Sequence, residues 1–158
     1  MIFYIHQRVF SFADKYDIFD EHEQPVYHVE AEVFSWGPKV YVYDLNGREL
    51  FYIKGKVFSL VPEYTIFRDE RACAVVRGRF SFRPKIDISS VLGKIYIEGN
   101  FIAHNFFIYQ NQEIIGTIDK PYFTWGDKYQ LVIPDDYPDP AFVCALVITI
   151  DNCIHNES

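Results

Sequence analysis

The sequence Val33-Phe34-Ser35-Trp36-Gly37-Pro38-Lys39-Val40 belongs to a pattern that occurs five times in the chain. Each copy has an aromatic residue, then Ser or Thr, a second bulky residue, and a turn before a strand-like segment. The other copies lie at residues 9–16, 57–64, 79–86 and 122–129. The first three copies are 24 residues apart, and the fourth follows after 22. A period of this size indicates that one supersecondary unit is repeated along the chain.

Each repeat is interpreted as two strands joined by a polar tip. In the return strand of the first unit, Val29 and Ala31 alternate with His28, Glu30 and Glu32, so one face is apolar and the other faces water. About twelve strands are predicted, near residues 2–10, 15–19, 25–34, 39–43, 49–58, 64–67, 72–80, 85–88, 95–101, 105–110, 113–119 and 128–133. Successive two-strand units favour an antiparallel barrel or meander over a propeller, which needs four strands per blade.

The C-terminal segment differs from the repeats. Residues 141–150 are apolar on every side, and their Val, Ile and Thr content leaves helix and strand both open by propensity. Asp139 and Pro140 favour a helix start, because Asp suits the N-cap and Pro the first helical turn. An all-apolar helix must be buried. A helix over residues 140–154 would be roughly 22 Å long, a suitable length to lie inside a barrel.

Composition indicates one globular domain covering residues 1–158. Of these residues 49% are hydrophobic and 23% are charged, which excludes a wholly disordered chain. The three cysteines are widely spaced and form no CxxC pair, so a zinc knuckle or thioredoxin-like motif is excluded. No signal-peptide pattern and no apolar run of about 18 residues is present. We therefore expect a cytoplasmic protein without a transmembrane segment.

Charge is distributed unevenly along the sequence. The net charge is −7, which argues against nucleic acid as a partner. Residues 54–94 nevertheless carry nine basic and four acidic side chains, a net of +5. Within them we predict that Arg77, Arg79, Arg83 and Lys85 form a basic patch that binds a ligand. The alternative is that these charged side chains simply lie on strand faces exposed to solvent and bind no ligand.

The sequence contains no recognisable catalytic or cofactor motif. The five histidines have no HExxH or HxH spacing, and there is no GxSxG elbow or phosphate-binding loop. Asp135, Asp136 and Asp139 could attract calcium, but they lack the ligand spacing of an EF-hand and suit a capped linker better. We therefore predict no catalytic residue, no metal site and no cofactor, and expect a protein that is not an enzyme.

These features together resemble the LURP-one-related family, within the tubby C-terminal-like superfamily. The resemblance rests on the repeats, on residues 97–101, 114–118 and 125–129, and on the apolar tail that ends at Asp151. It covers roughly residues 3–154 and implies a mainly β fold, a twelve-stranded antiparallel closed barrel around a central hydrophobic C-terminal α-helix. Tubby proteins bind phosphoinositide headgroups, whereas no common catalytic residue set is associated with these families.

The sequence therefore predicts a non-catalytic binding or scaffold module. Its partner is expected to be a protein or an anionic membrane surface, which would place the protein at the membrane periphery. The alternative is a small-molecule carrier or an enzyme with its site at a barrel mouth. A wide, empty lumen with converging polar groups would favour that alternative.

Small residues recur at one inward-facing strand position. We expect Ala31, Gly55, Gly78 and Gly99 to face the helix at short range or to mark strand bends near it, because Gly in a strand often marks a close approach. The alternative is that each glycine is a separate bulge.

Overall fold

The computed structural model describes residues 1–6, 15–34, 36–79, 85–100, 103, 105–119 and 128–155. These residues form twelve β-strands followed by one α-helix, as predicted. The elements are β1 (Ile2–His6), β2 (Lys15–Asp20), β3 (Pro25–Phe34), β4 (Gly37–Tyr43), β5 (Glu49–Gly55), β6 (Glu63–Arg68), β7 (Arg71–Arg79), β8 (Lys85–Ser90), β9 (Ile95–Asn100), β10 (Asn105–Gln110), β11 (Glu113–Asp119), β12 (Lys128–Val132) and α1 (Pro140–His155).

All twelve strands belong to one antiparallel sheet. Strands β1 to β8 are paired in chain order, as are β9 to β12, and the two halves join where β1 pairs with β12. In that junction Ile2 lies opposite Val132 and His6 lies opposite Lys128. The sheet curls into a nearly closed barrel. Closure is incomplete because β8 and β9, the two ends of the sheet, do not pair with each other.

The predicted alternation of faces is confirmed in the return strands. Val29 and Ala31 of β3 and Ile53 of β5 are buried, whereas Glu30 and Lys54 lie on the outer face. Because successive side chains of a strand point to opposite faces, the pairing register places these apolar side chains inside the barrel.

Helix α1 fills the interior of the barrel. Every residue from Ala141 to Cys153 is buried, and Phe142 packs against Phe51 of β5 with ring centroids 6.0 Å apart. Asp139 caps the helix, since its Oδ1 accepts a hydrogen bond from the Phe142 amide at 3.3 Å. The helix prediction is confirmed. No helix in the described ranges has the length and apolarity needed to cross a bilayer.

The prediction about the small residues is only partly correct. Ala31, Gly55 and Gly78 are buried, but the atoms that crowd Gly55 belong to Pro38 and Tyr64 of neighbouring strands, not to α1. Gly99 is exposed and has a φ of 115°, a backbone conformation that favours glycine, near the end of β9. Among the described glycines, Gly116 is the one whose Cβ would meet the helix, 3.0 Å from Val143 Cγ1.

Candidate functional site

The antiparallel order brings the strand ends that flank the five repeat copies to one end of the barrel. In the sequence each copy falls between an odd-numbered strand and the next even-numbered strand, and these strand ends lie together. We call this the repeat end. The opposite linker end carries the remaining turns and the segment 133–139 that leads into α1.

Three large apolar side chains project into solvent at the repeat end. Trp36 is 76% exposed, and Phe58 and Leu60 are fully exposed. We call these three side chains the apolar tip. Trp36 lies in the connection between β3 and β4, and Phe58 and Leu60 lie in the next one, between β5 and β6. Large apolar side chains that point into water from neighbouring loops are typical of a surface that binds another protein or a membrane.

The loop that carries Phe58 and Leu60 has a firm base. The Lys56 amide donates to the Glu63 carbonyl at 2.8 Å, which closes the loop across its neck. The Gly78 amide donates to the Pro62 carbonyl at 3.0 Å, which joins the loop to β7. Phe58 has a φ of 59°, a left-handed conformation that bulky residues seldom adopt and that is often associated with functional sites.

Unpaired lysines lie directly behind the apolar tip. Lys39 of β4 and Lys54 of β5 are direct cross-strand neighbours on the outer face. Neither makes an ion pair with any described residue, although Glu32 of β3 lies opposite Lys39 on its other side. Like charges placed opposite each other destabilise a sheet, so the juxtaposition of the two lysines favours a role in binding anions.

A row of stacked aromatic rings follows on the same outer face. Tyr41 and Tyr52 stack with centroids 5.0 Å apart, and Phe67 stacks on Tyr52 at 5.6 Å. Burial, followed by the nearby carboxylates Glu32 and Glu49, raises the pKa of Tyr52. These rings are only partly buried, so they present apolar faces with polar hydroxyl tips to the surroundings.

The structure brings three of the four predicted basic residues together. Arg77 and Arg79 project from β7, and Lys85 of β8 lies opposite Arg79. Arg83 lies outside the described residues. The ligand-binding role of this patch stays a prediction, since nothing bound marks it.

Carboxylates neutralise much of that patch. Glu63 accepts hydrogen bonds from Arg77 Nε and Nη2 at 3.1 and 2.9 Å, and Lys56 Nζ lies 3.2 Å from its other oxygen. Burial alone would raise the pKa of Glu63, but these hydrogen bonds outweigh burial and lower it. Asp87 forms ion pairs with both Arg79 and Lys85, at 3.0 and 3.3 Å. Lys39 and Lys54, outside the predicted patch, therefore have more charge available.

The linker end has the opposite electrostatic character. Its turns and linker carry eleven carboxylates and four basic side chains. The carboxylates are those of Asp20, Glu21, Glu23, Asp44, Glu49, Asp69, Glu70, Glu113, Asp135, Asp136 and Asp139; the basic side chains are those of Arg48, Arg68, Arg71 and Lys94. The barrel is therefore polarised along its axis.

The predicted alternative is a small-molecule site at a barrel mouth, and the linker end has a cleft where such a site could lie. A cleft of about 460 Å³ there is lined by Arg48, Arg68, Asp69 and Asp139 among others. Arg68 is engaged within it, because its guanidinium pairs with Asp139 and lies 4.4 Å from the centroid of the Phe51 ring. The charges of Arg68 and Asp139 in this cleft therefore hold the start of α1 in place.

Other titratable groups have structural partners. Asp135 pairs with the N-terminal ammonium of Met1, and these contacts lower its pKa. His28 Nδ1 lies 2.9 Å from Asp17. Cys73, Cys144 and Cys153 are buried, and burial raises the pKa of each thiol, which makes them poor nucleophiles. The described residues contain no group of three metal-ligating side chains.

Sequence reasoning missed the apolar tip and the lysine pair. The repeat itself carried the signal, since copies on alternate connections of a meander must lie at one end. The exposure of Trp36, Phe58 and Leu60 could not be read from it, because aromatic residues in a β protein are more often buried.

Comparison with known proteins adds the family relationship. The model of the LURP-one-related family matches residues 1–151. An uncharacterized protein of Bacillus subtilis, YxjI, is 30% identical over 156 residues, which cover 98% of this chain and 94% of that protein. A crystal structure of an Arabidopsis thaliana protein aligns with a TM-score of 0.64 at 15% identity, over 96% of this chain and 90% of the other. At this identity the structural match concerns the fold alone.

Proposed function

We propose that this chain, which belongs to the LURP-one-related family, is a non-catalytic binding module that docks on anionic membrane surfaces through its repeat end. The observation that carries the proposal is the apolar tip. Trp36, Phe58 and Leu60 are exposed together at one end of a rigid barrel. Aromatic and aliphatic side chains of this kind favour the boundary between headgroups and acyl chains.

Charge supports an anionic surface as the partner. Lys39 and Lys54 lie behind the apolar tip, where their ammonium groups could meet lipid phosphates while the tip is inserted. Each basic residue near an anionic leaflet contributes roughly 1 kcal/mol. The acidic linker end would be repelled by the same leaflet, so only the repeat end can approach it. The protein would then lie at the membrane periphery.

The non-catalytic part of the proposal is supported by the packed interior. The inward-facing side chains of the strands and those of α1 leave the described lumen filled, which does not favour an internal carrier site. The cysteines are buried, and two of the three acidic linker residues, Asp135 and Asp139, are engaged in structural contacts.

The proposal is tested by vesicle co-sedimentation. Vesicles of phosphatidylcholine with about 30% phosphatidylserine should bind the protein, and binding should weaken as salt screens the lysines. The variant Phe58→Ser/Leu60→Ser should bind at least about tenfold more weakly, because inserting each side chain contributes roughly 1.5 to 3 kcal/mol. Both residues are fully exposed, so we expect this variant to fold normally.

Leu45→Ser provides the matched control. Leu45 is also an exposed apolar residue, but it lies in the turn between β4 and β5 at the acidic linker end. We expect this variant to bind vesicles like the unsubstituted protein. Equal losses in the Leu45 and Phe58/Leu60 variants, or no binding to anionic vesicles at low salt, would contradict docking through the repeat end.

A further inference from the structure

Strands β8 and β9 each pair with a neighbour on one side only. Strand β8 pairs with β7, β9 pairs with β10, and no backbone hydrogen bond joins β8 to β9 within the described residues. We call the gap between these two strands the seam. An unpaired strand edge presents a row of free N–H and C=O groups, which is a template for another strand.

The register identifies the residues whose backbone groups face the seam. The Val91 amide donates a hydrogen bond to the Cys73 carbonyl of β7. In an antiparallel pair, hydrogen-bonded residues alternate with residues that are not bonded to that neighbour. The backbone groups of Asp87 and Ser89 therefore point toward β7. Those of Ile86 and Ile88 must then point into the seam.

The same rule applies to the other side of the seam. The Asn111 amide donates a hydrogen bond to the Lys94 carbonyl. By the same alternation, the backbone groups of Tyr96 and Glu98 point toward β10. The backbone groups of Ile95 and Ile97 therefore point into the seam. Both edges thus offer hydrogen bonds that face each other across the gap.

The turn between β8 and β9 explains why the strands diverge. At its start, Val91 is hydrogen-bonded to β7. At its end, the Lys94 amide donates to the Asn111 side chain at 2.9 Å, which ties it to the turn between β10 and β11. The two ends of a short connection are therefore held on opposite sides of the seam, and the strands do not pair beyond it.

Side chains along the seam are apolar and incompletely covered. Ile86, Ile88 and Ile97 pack against the core yet are only partly buried, although their cross-strand neighbours Val76 and Ile108 are fully buried. Apolar side chains on the inner face and free backbone groups at the edge are the two features that an added strand requires.

We propose that the seam binds an extended peptide segment of a partner protein, which adds a strand beside β8 and β9. The segment has apolar side chains at every second position, facing Ile86, Ile88 and Ile97, and polar side chains between them. Its backbone supplies hydrogen-bond partners for the unpaired N–H and C=O groups of both edges. This site is separate from the apolar tip and does not depend on membrane binding.

A second copy of this chain fits the seam poorly. Its own edge strands are fixed within a barrel that is already filled by α1, so they cannot enter the gap of another barrel as a free segment can. The net charge of −7 on each copy also opposes self-association. A free, extended segment of a different protein meets neither obstacle.

Amide hydrogen exchange tests the seam in the unbound protein. The amides of Ile86 and Ile88 should exchange roughly 100-fold faster than those of Asp87 and Ser89 on the same strand, which are bonded to β7. Equal protection of all four amides would show that the seam is closed and would overturn the proposal.

Binding is tested with an acetylated and amidated eight-residue peptide of alternating Val and Thr. Added to labelled protein, it should protect the amides of Ile86, Ile88, Ile95 and Ile97 and shift their resonances. The same peptide methylated on alternate backbone nitrogens should bind at least about tenfold more weakly, since it loses several hydrogen bonds at one edge.

Two substitutions complete the test. Ile88→Lys places a charge on the inner side of the seam and should abolish peptide binding, whereas Ser89→Lys, on the outer face of the same strand, should leave it unchanged. Should Ile88→Lys fail to fold, the methylated peptide gives the same comparison on the unsubstituted protein. Equal binding of both peptides, resonance shifts confined to other strands, or a dimer formed through the seam would overturn the proposal.

Discussion

Gly55 occupies a position where even one added carbon does not fit. A Cβ built there would lie 2.5 Å from Pro38 Cγ and 2.9 Å from Tyr64 Cε1. Both neighbours are held by their own strands, so neither can move away cheaply. The position is set by contact between adjacent strands, and the helix takes no part in it.

Gly55→Val should therefore lower the free energy of unfolding by about 1 to 3 kcal/mol, because overpacking forces neighbouring groups out of place. Chemical denaturation of the purified variant measures this change. Ala72→Val is the matched control, since Ala72 is exposed on β7 and its strand tolerates a β-branched residue. Equal midpoints for the two variants would contradict the close packing around Gly55.

Glu63 links stability to pH. The hydrogen bonds from Arg77 and Lys56 lower its pKa below the usual value of 4.5. The ionised carboxylate therefore stabilises the fold above about pH 4.5, and this contribution is lost as pH falls through the lower, folded-state pKa. Glu63→Gln removes the contribution at every pH.

We expect the stability of the unsubstituted protein and of Glu63→Gln to differ at pH 7 and to converge on acidification below pH 4.5. Thermal melts across this range measure the difference. Glu113→Gln, at an exposed strand end, should instead follow the unsubstituted protein throughout. A constant gap between the Glu63 variant and the unsubstituted protein at all pH values would show that the carboxylate is not stabilised by its partners.

At the scale of the elements, the helix and the sheet depend on each other. The strands present an apolar inner face that would meet water without α1, and α1 is buried within the barrel that they form. Val, Ile and Thr favour strands by propensity, yet here they form a helix because a helix satisfies its own backbone inside the barrel. The Thr149 hydroxyl is satisfied in the same way, by donating to the Ala145 carbonyl at 2.7 Å.

Removal of the helix should abolish folding. A fragment ending at residue 138 would lose all the buried side chains of α1, among them those of Phe142, Leu146, Val147, Ile148 and Ile150. Each contributes roughly 1.5 to 3 kcal/mol on burial, and together they rival the whole stability of a typical domain. Circular dichroism should show no cooperative melt for the fragment. A soluble fragment that melts cooperatively would contradict the central role of α1.

At the scale of the whole molecule, topology converts a linear repeat into an axial asymmetry. The strand ends that flank the five repeat copies lie at one end, and eleven of the carboxylates lie at the other. Trp36 of the apolar tip is 76% exposed at the repeat end, so its fluorescence reports on contact there. Contact with a membrane should shift its emission to shorter wavelength because the indole ring leaves water.

This shift should appear with phosphatidylserine-containing vesicles and should be absent with pure phosphatidylcholine at the same lipid concentration. Lys39→Glu/Lys54→Glu should reduce it, whereas Arg48→Glu, a charge reversal at the linker end, should have little effect. An equal reduction by both variants would mean that net charge, and not the lysine pair, controls the approach to the membrane.

The sequence by itself determined the number of strands, their order of appearance and the helix. Period-two alternation marks Val29 and Ala31 as inward, and the Asp139-Pro140 pair marks where α1 begins. These signals are local, because strand alternation and helix capping depend on neighbouring residues. The family resemblance was also carried by such local motifs, and the family match confirms it.

Only the tertiary structure decided which charges are available and which strand edges stay open. Arg77 and Arg79 are as basic in the sequence as Lys39 and Lys54, but Glu63 and Asp87 form ion pairs with the arginines, whereas no carboxylate of a described residue forms an ion pair with the lysines. The seam likewise depends on how Val91 and Lys94 are anchored on opposite sides of the seam. Such pairings join residues far apart in the chain, so they follow from sheet register and closure, which no local pattern specifies.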